Sequence, residues 1–239
     1  MSKHIYLVSG ANKGIGKQIA LELVEQGHTV YLGARNLEAG KKVTQELKER
    51  GDARLVYLDL NDAKSHQAAV ELIEQQSGHL DGLINNAGVI VGYGNASNVT
   101  HQALRETFET NVFGTIMLTQ TMLPLLRKGS HRSIVNVSTG LGSMTMHGDP
   151  SWPFHGTTPL AYNASKSALN MFTVLLAKEL RDEGFRVNSV SPGWIATDLG
   201  GEQAPGSVEE GAVIAVKTAL EGSDGPTGLF LTTGGVIPW

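Results

Sequence analysis

Short apolar runs alternate with stretches of helical period along the whole chain, and this alternation limits the fold more than any other feature. The runs occupy residues 5–9, 29–33, 55–58, 80–85, 133–137, 185–190 and 229–232, and several place Val, Ile and Leu on consecutive positions. Consecutive apolar residues suit strands covered on both faces, which is the habit of parallel sheets. Between the runs, Ile15, Ile19 and Leu23 recur four apart and give residues 14–26 one apolar helix face. Asn36 reads as the cap of a helix over 37–50 with Gly51 as its stop, and Asn61 or Asp62 caps another to residue 76, before Gly78. Residues 100–127 read as a long helix in which Pro124 predicts a late kink or a second short helix. A further long helix over 158–183 ends at Gly184. Strand and helix repeated in this order predict right-handed crossovers. The expected fold is α/β, a single domain over 1–239 with a Rossmann-type, doubly wound parallel sheet of about seven strands and helices on both faces. Such sheets bind ligands at the carboxyl ends of their strands, so chemistry is sought after each apolar run.

Composition removes several function classes. The net charge of −4 carries no basic footprint for nucleic acid. The absence of cysteine excludes disulfides and thiolate chemistry and fits a reducing, cytoplasmic setting. No secretory leader and no membrane span are expected, since no run of about 18 apolar residues occurs. The eight histidines show no metal-ligand spacing, and no metal is expected.

The first strand runs into Ser9-Gly10-Ala11-Asn12-Lys13-Gly14-Ile15-Gly16, which opens a helix. Glycines there let the backbone approach a pyrophosphate, and the helix start adds free N–H groups and the positive dipole end. A plain strand-to-helix turn is the alternative. At the end of the second strand, where a site for NAD places an acid against the ribose, the sequence is Leu32-Gly33-Ala34-Arg35-Asn36. Arg35 offers a planar fork to a 2′-phosphate, and Lys13 is a second cation, so the expected cofactor is NADP(H).

The spacing Gly10-x-x-x-Gly14-x-Gly16 resembles that of the short-chain dehydrogenase/reductase family, with Ser9 where the family usually has Thr. The resemblance carries over further residues in order. Asp59, with Leu60 after it, matches the position near the adenine, and Asn86-Ala87-Gly88 matches the turn along the cofactor, with Asn85 before it as support for the sheet. Tyr162-Asn163-Ala164-Ser165-Lys166 matches Tyr-x-x-x-Lys. On a helix this spacing puts both groups on one face. An ammonium beside the phenol is expected to lower its pKa, so that Tyr162 gives a proton to a carbonyl oxygen. Asn111 matches a helix residue of the proton relay. The hydroxyl that holds the substrate oxygen falls on Thr139, with Ser138 as the alternative. Pro192, Gly193, Ile195 and Thr197 match the turn that meets the nicotinamide and diphosphate, and glycines at 200–201 suit a mobile lid.

Between Thr139 and Tyr162 lie 22 residues, more than is usual in the family, with Met144, Met146, His147, Trp152, Phe154 and His155 among them. A long irregular stretch beside a site suits a binding loop. Trp194, Met144 and Phe154 are the expected substrate contacts. Asn-Lys in the glycine loop, this extended segment, and Pro-Gly-Trp-Ile-Ala-Thr-Asp at 192–198 are similar to the NADPH-dependent carbonyl reductases of the family. The resemblance implies a small-molecule carbonyl substrate and a monomer. Two other readings stay open: an NADP-binding sensor or scaffold without turnover, and reduction of a conjugated double bond.

Overall fold

The computed structural model describes residues 3–239. Eight strands form one sheet in the order β3-β2-β1-β4-β5-β6-β7-β8. They are β1 (Ile5–Ser9), β2 (Thr29–Ala34), β3 (Ala53–Tyr57), β4 (Gly82–Asn85), β5 (Ser133–Val137), β6 (Arg186–Val190), β7 (Phe230–Thr232) and β8 (Gly235–Val236). All neighbours pair in parallel except β7 and the two-residue β8, which form an antiparallel hairpin. That hairpin is the difference from the seven strands expected, and two residues are too few to show a periodicity.

The helices are α1 (Gly14–Glu25), α2 (Leu37–Lys48), α3 (Ala63–Ser77), α4 (His101–Phe108), α5 (Thr115–Lys128), the short α6 (Met144–His147), α7 (Leu160–Glu179) and α8 (Val208–Leu220). Local chemistry explains their ends. Asn36, Asp62 and Thr100 each accept a backbone N–H of the first turn, and Ser207 and Glu210 form a reciprocal capping box. Gly78 and Gly184 close their helices in the left-handed region, at φ 77° and 76°.

The long helix expected over 100–127 is broken, but not at its proline. Residues Glu109–Gly114 form a π-helical turn between α4 and α5, while Pro124 lies inside α5. The extra residue of a π turn rotates the side chains that follow, and such turns concentrate at functional sites. Asn111 sits inside it.

Alternation along the strands sends side chains to two cores. On one face Tyr6, Val8, Val30, Leu32 and Ile84 pack with α1, α2 and α8. On the other, Leu7, Tyr31, Val56, Leu83 and Ile134 pack with α3, α5 and α7. Polar residues inside the sheet bond to one another: Asn85 donates to Asn136 (2.8 Å) and Thr119 (2.9 Å), and Asn136 donates to Thr173 (2.8 Å). At the amino ends of the strands, the buried carboxylate of Asp81 accepts from Ile5 N and Ser130 N, both 2.9 Å. Four histidines gather around it. His4 stacks on His131 (4.4 Å) and His28 (5.6 Å), and His79 lies 3.2 Å from the carboxylate. Among the described residues, no helix is long and apolar enough to cross a membrane.

Candidate active site

A cleft of about 1410 Å³ opens at the carboxyl ends of the strands. This exceeds the roughly 300–1,000 Å³ of an ordinary small-molecule pocket. One end is the glycine loop. Gly10 and Gly14 adopt φ of 66° and 52°, where a side chain is strained. A Cβ on Gly16 would fall 2.4 Å from the Asn86 amide and 2.5 Å from Gly10 O. Helix α1 therefore starts close against the end of β1, and its first residues, Gly14 to Gly16, line the cleft. Ser9, buried, accepts from Asn86 N (3.0 Å) and Ala87 N (3.1 Å), and Asn86 donates back to Ser9 O (3.0 Å). The hydroxyl at this position thus ties the two loops together, a role the sequence did not suggest.

The cleft wall contains Gly10, Asn12, Lys13, Gly14, Ile15 and Gly16 from the first loop, Arg35 after β2, and Asp59 and Leu60 after β3. Asn86, Ala87 and Gly88 follow β4, and Pro192, Gly193, Ile195 and Thr197 follow β6. Each cofactor residue expected from the sequence lies on this one wall. Arg35 is exposed and makes no ion pair among the described residues. The Lys13 ammonium pairs with Asp198 at 2.6 Å and bridges the glycine loop to the 191–207 loop. Both groups are exposed, so water screens the pair and it is worth little.

At the floor, Tyr162 and Lys166 project from α7 and are both buried. The Lys166 ammonium donates to Val137 O (2.8 Å) and lies 5.7 Å from the centre of the Tyr162 ring. Burial pushes the lysine down to about 8. It pushes the phenol up, opposite to the direction expected from a neighbouring ammonium. The physical reason is that removal from water disfavours the phenolate, and the ammonium faces a carbonyl rather than the phenol oxygen.

Asn111 is held by three contacts. It accepts from Val89 N (2.8 Å) and donates to Val89 O (2.9 Å) and Ser165 Oγ (3.0 Å). Ser165 in turn donates to Tyr162 O (2.7 Å). A point built as Cβ on Gly88 lies 3.3 Å from Asn111 Oδ1 and 3.5 Å from Lys166 Nζ, so the two side chains converge. Asn111 is not itself on the cleft wall. Ser165 was missed from the sequence, and only its place within Tyr162-x-x-Ser165-Lys166 marked it.

Ser138 and Thr139 follow β5 and both reach the wall. Ser138 Oγ is buried with no hydrogen-bond partner among the described residues, whereas Thr139 is half-buried and accepts from Leu141 N (3.3 Å). The end of the cleft away from the glycine loop is formed by the segment after Thr139 and by Trp194. Phe154 and Trp194 line the cleft there, and their rings meet edge to face at 6.1 Å. Met144 does not: it is 72% exposed, off the cleft, and Met146 takes the wall position instead. The short helix α6 turns successive residues to different sides, which residue type alone does not reveal. No group of three or more potential metal ligands occurs among the described residues.

The chain matches the family model for short chain dehydrogenase over residues 4–207. It is 37% identical over 242 residues to the short-chain dehydrogenase anuI of Penicillium roqueforti, covering 96% of this chain and 93% of that one. It is 29% identical over 282 residues to carbonyl reductase (NADPH) 1 of Mus musculus, covering 100% and 99%. An NADPH-bound carbonyl reductase from chicken fatty liver superposes over all of both chains with a TM-score of 0.88 at 26% identity.

Proposed function

Because this chain belongs to the short-chain dehydrogenase family, we propose that it reduces a ketone or aldehyde to an alcohol with NADPH. The observation that carries the proposal is the burial of Tyr162 and Lys166 at the floor of a cleft that ends in a glycine cradle. The cradle fits a dinucleotide. Gly16 approaches Gly10 O and the Asn86 amide too closely for a Cβ, Gly10 and Gly14 hold a positive φ, α1 presents its N-terminus, and Arg35 stands after β2 as a cation for a 2′-phosphate. Gly10, Asn12, Gly14, Ile15 and Gly16 would hold the diphosphate, Asp59 and Leu60 the adenine, and Asn86 to Gly88 with Pro192 to Thr197 the nicotinamide half. A reduced nicotinamide, when bound, supplies the hydride that adds to the carbonyl carbon.

The chain's own groups handle the oxygen. Burial keeps the Tyr162 phenol protonated, which is the form that gives a proton to the oxygen as negative charge develops there. Lys166, close beneath the ring, stabilises the phenolate left behind while its ammonium is charged. Thr139 is the hydroxyl assigned to the substrate oxygen. Its oxygen already accepts from Leu141 N, so its O–H remains to donate to a carbonyl. Asn111 positions Tyr162 through Ser165 and, through Val89, the turn beside the cofactor.

The test is oxidation of NADPH against a panel of aldehydes, ketones and quinones, with Tyr162→Phe beside the wild type. Turnover that Tyr162→Phe abolishes is expected. Binding of NADPH without turnover of any carbonyl would favour a sensor instead. Thr139→Ala should lose activity and Ser138→Ala should keep it; the opposite result reassigns the hydroxyl. The monomeric state implied by the long segment before Tyr162 is checked by light scattering, where a tetramer mass refutes it. Phe113 and Met117 before and in α5, and Met171 and Leu175 on α7, are the exposed apolar side chains such a tetramer would have available to cover.

A further inference from the structure

The segment between Thr139 and α7 supplies much of the substrate wall, yet it has almost no regular structure to hold it. Two side chains that are not on the wall tie it down. Asn163, the residue after Tyr162, is buried, and its Nδ2 donates to Thr157 O at 3.0 Å on the descending arm of the segment. The same Nδ2 lies 3.3 Å from His147 Nε2 on the ascending arm. His147 Nε2 is also 3.1 Å from Leu141 O. With its proton on Nε2 the imidazole donates to Leu141 O; with its proton on Nδ1 it accepts from Asn163. In both tautomers the ring is tied through that nitrogen.

The tied ring has a consequence for the wall. Trp152 meets the His147 ring edge to face at 5.0 Å and 88°. Trp152 then meets Phe154 at 5.6 Å, and Phe154 meets Trp194 of the opposite loop at 6.1 Å. Trp152, Phe154 and Trp194 are on the cleft; His147 and Asn163 are not. Each such ring contact is worth only about 0.5–1.5 kcal/mol, so the Trp152 end of the row depends on how firmly the His147 ring is held, while the Trp194 end is held by its own Nε1–H to Gly200 O at 2.8 Å.

We propose that Asn163 and His147 are positioning residues that anchor Trp152, and through it the aromatic wall, to the catalytic helix. They set the affinity for a large, flat, uncharged carbonyl compound and leave the chemical step alone. The substrate part of this inference rests on the carbonyl-reductase reading above. The wall favours such a compound because its side chains at this end are Leu141, Met146, Trp152, Phe154, Thr157 and Trp194, all uncharged.

Two measurements test it. The first is steady-state kinetics with NADPH and two probes, 2-acetonaphthone and propanal. Asn163→Ala and His147→Ala should raise KM for the naphthyl ketone about tenfold and leave its kcat within about twofold, with both constants for propanal unchanged. Asn163→Asp has the same shape but lacks the donor to Thr157 O, and should behave like Asn163→Ala. His147→Gln, which keeps a donor and acceptor toward Leu141 O, should recover part of the affinity. The second measurement needs no turnover. Protein labelled with 5-fluorotryptophan has three indoles, and Trp152→Phe and Trp239→Phe each identify one fluorine line. That line should shift and broaden in His147→Ala and Asn163→Ala, while the Trp239 line stays in place and shows that the fold is intact. An unmoved Trp152 line, or a loss equal for both probes, overturns the proposal. A wild type that reduces neither probe would sink the reductase reading alone, and the fluorine line would still decide the positioning.

Discussion

The cradle and the substrate wall face each other across one cleft and are built by different means. Around the cradle, position is set by backbone. Gly10, Gly14 and Gly16 leave no space or no allowed conformation for a side chain, and Ser9 and Asn86 bond main-chain atoms of two loops. On the wall, position is set by side chains on irregular chain: a ring row, one imidazole and one amide. A site fixed by backbone keeps its shape when surface residues change. A wall fixed by a few side chains can be rebuilt by a few substitutions without disturbing the sheet. Such a chain can hold its chemistry constant while its substrate changes, which is how one scaffold serves many reactions.

The largest effect that could break this comparison is at Lys166. Lys166→Met should lower kcat/KM by roughly 10²–10⁴, the range for loss of acid–base assistance. It should also raise Tm by a few degrees, because burial holds the lysine at about 8, well below its ordinary value, and that depression opposes folding wherever the unfolded chain binds the proton more tightly. The burden is present at neutral pH and is relieved as pH rises above about 8 toward the ordinary lysine value. A fall in Tm would show that Lys166 supports the floor instead of straining it. In the wild type, kcat/KM for reduction should decline above about pH 8 as the ammonium is lost.

Next in size is Arg35→Ala, which removes a charge-assisted fork. Affinity for NADPH should fall about 10- to 100-fold with NADH affinity unchanged, read by fluorescence titration. Equal losses for both dinucleotides would remove Arg35 from the 2′-phosphate.

Gly16→Ala and Phe154→Ala set the two regions directly against each other. Gly16→Ala forces backbone and amide apart and should destabilise by about 1–3 kcal/mol in denaturant unfolding. Phe154 is half-buried on the wall, and Phe154→Ala should move the midpoint by less than about 1 kcal/mol while raising KM. The reverse order would mean that the wall, not the cradle, carries the rigidity.

The smallest effect lies at the far end of the sheet. His28 and His131 are pushed below the ordinary histidine value, chiefly by burial, and face His4, His79, Tyr6, Arg186 and the single carboxylate of Asp81. Their depressed values leave stability intact above about pH 6.5 and withdraw it as pH falls through the folded values. Asp81, also held low, loses its contribution only at more acid pH. Tm should therefore start to fall below about pH 6.5, and His131→Gln should flatten that fall. The activity measured at neutral pH after brief acid exposure should be unchanged.

The sequence made the backbone-fixed half legible. Glycine spacing, Arg35 at a strand end, and Tyr162 with Lys166 at helical spacing are local patterns that follow from dihedral freedom and from 3.6 residues per turn. The parallel, doubly wound sheet followed from alternation, and Asp62, Gly78 and Gly184 mark helix ends by their own chemistry. What stayed hidden depends on neighbours far along the chain. Asn111 sits in a π turn with its amide bonded to Val89 and Ser165, and no local propensity announces that. Met144 and Met146 differ only in which side of a single turn meets the cleft. The phenol of Tyr162 moves upward because of burial, which a Tyr-x-x-x-Lys pattern does not record.

The wall has one further tie, to the last residues of the sequence. Ser143 Oγ donates to Pro238 O (2.6 Å), Thr145 Oγ1 donates to Trp239 O (2.7 Å), and Trp239 stacks on Phe230 of β7. These partners are 95 and 94 positions apart, and the chain between them contains α7, β6 and α8. A contact of that separation carries the closure entropy of everything between its ends until the intervening elements are packed. The wall segment is thereby tied to the sheet at β7, so a change at Phe230 or Trp239 would reach the wall without touching the cradle.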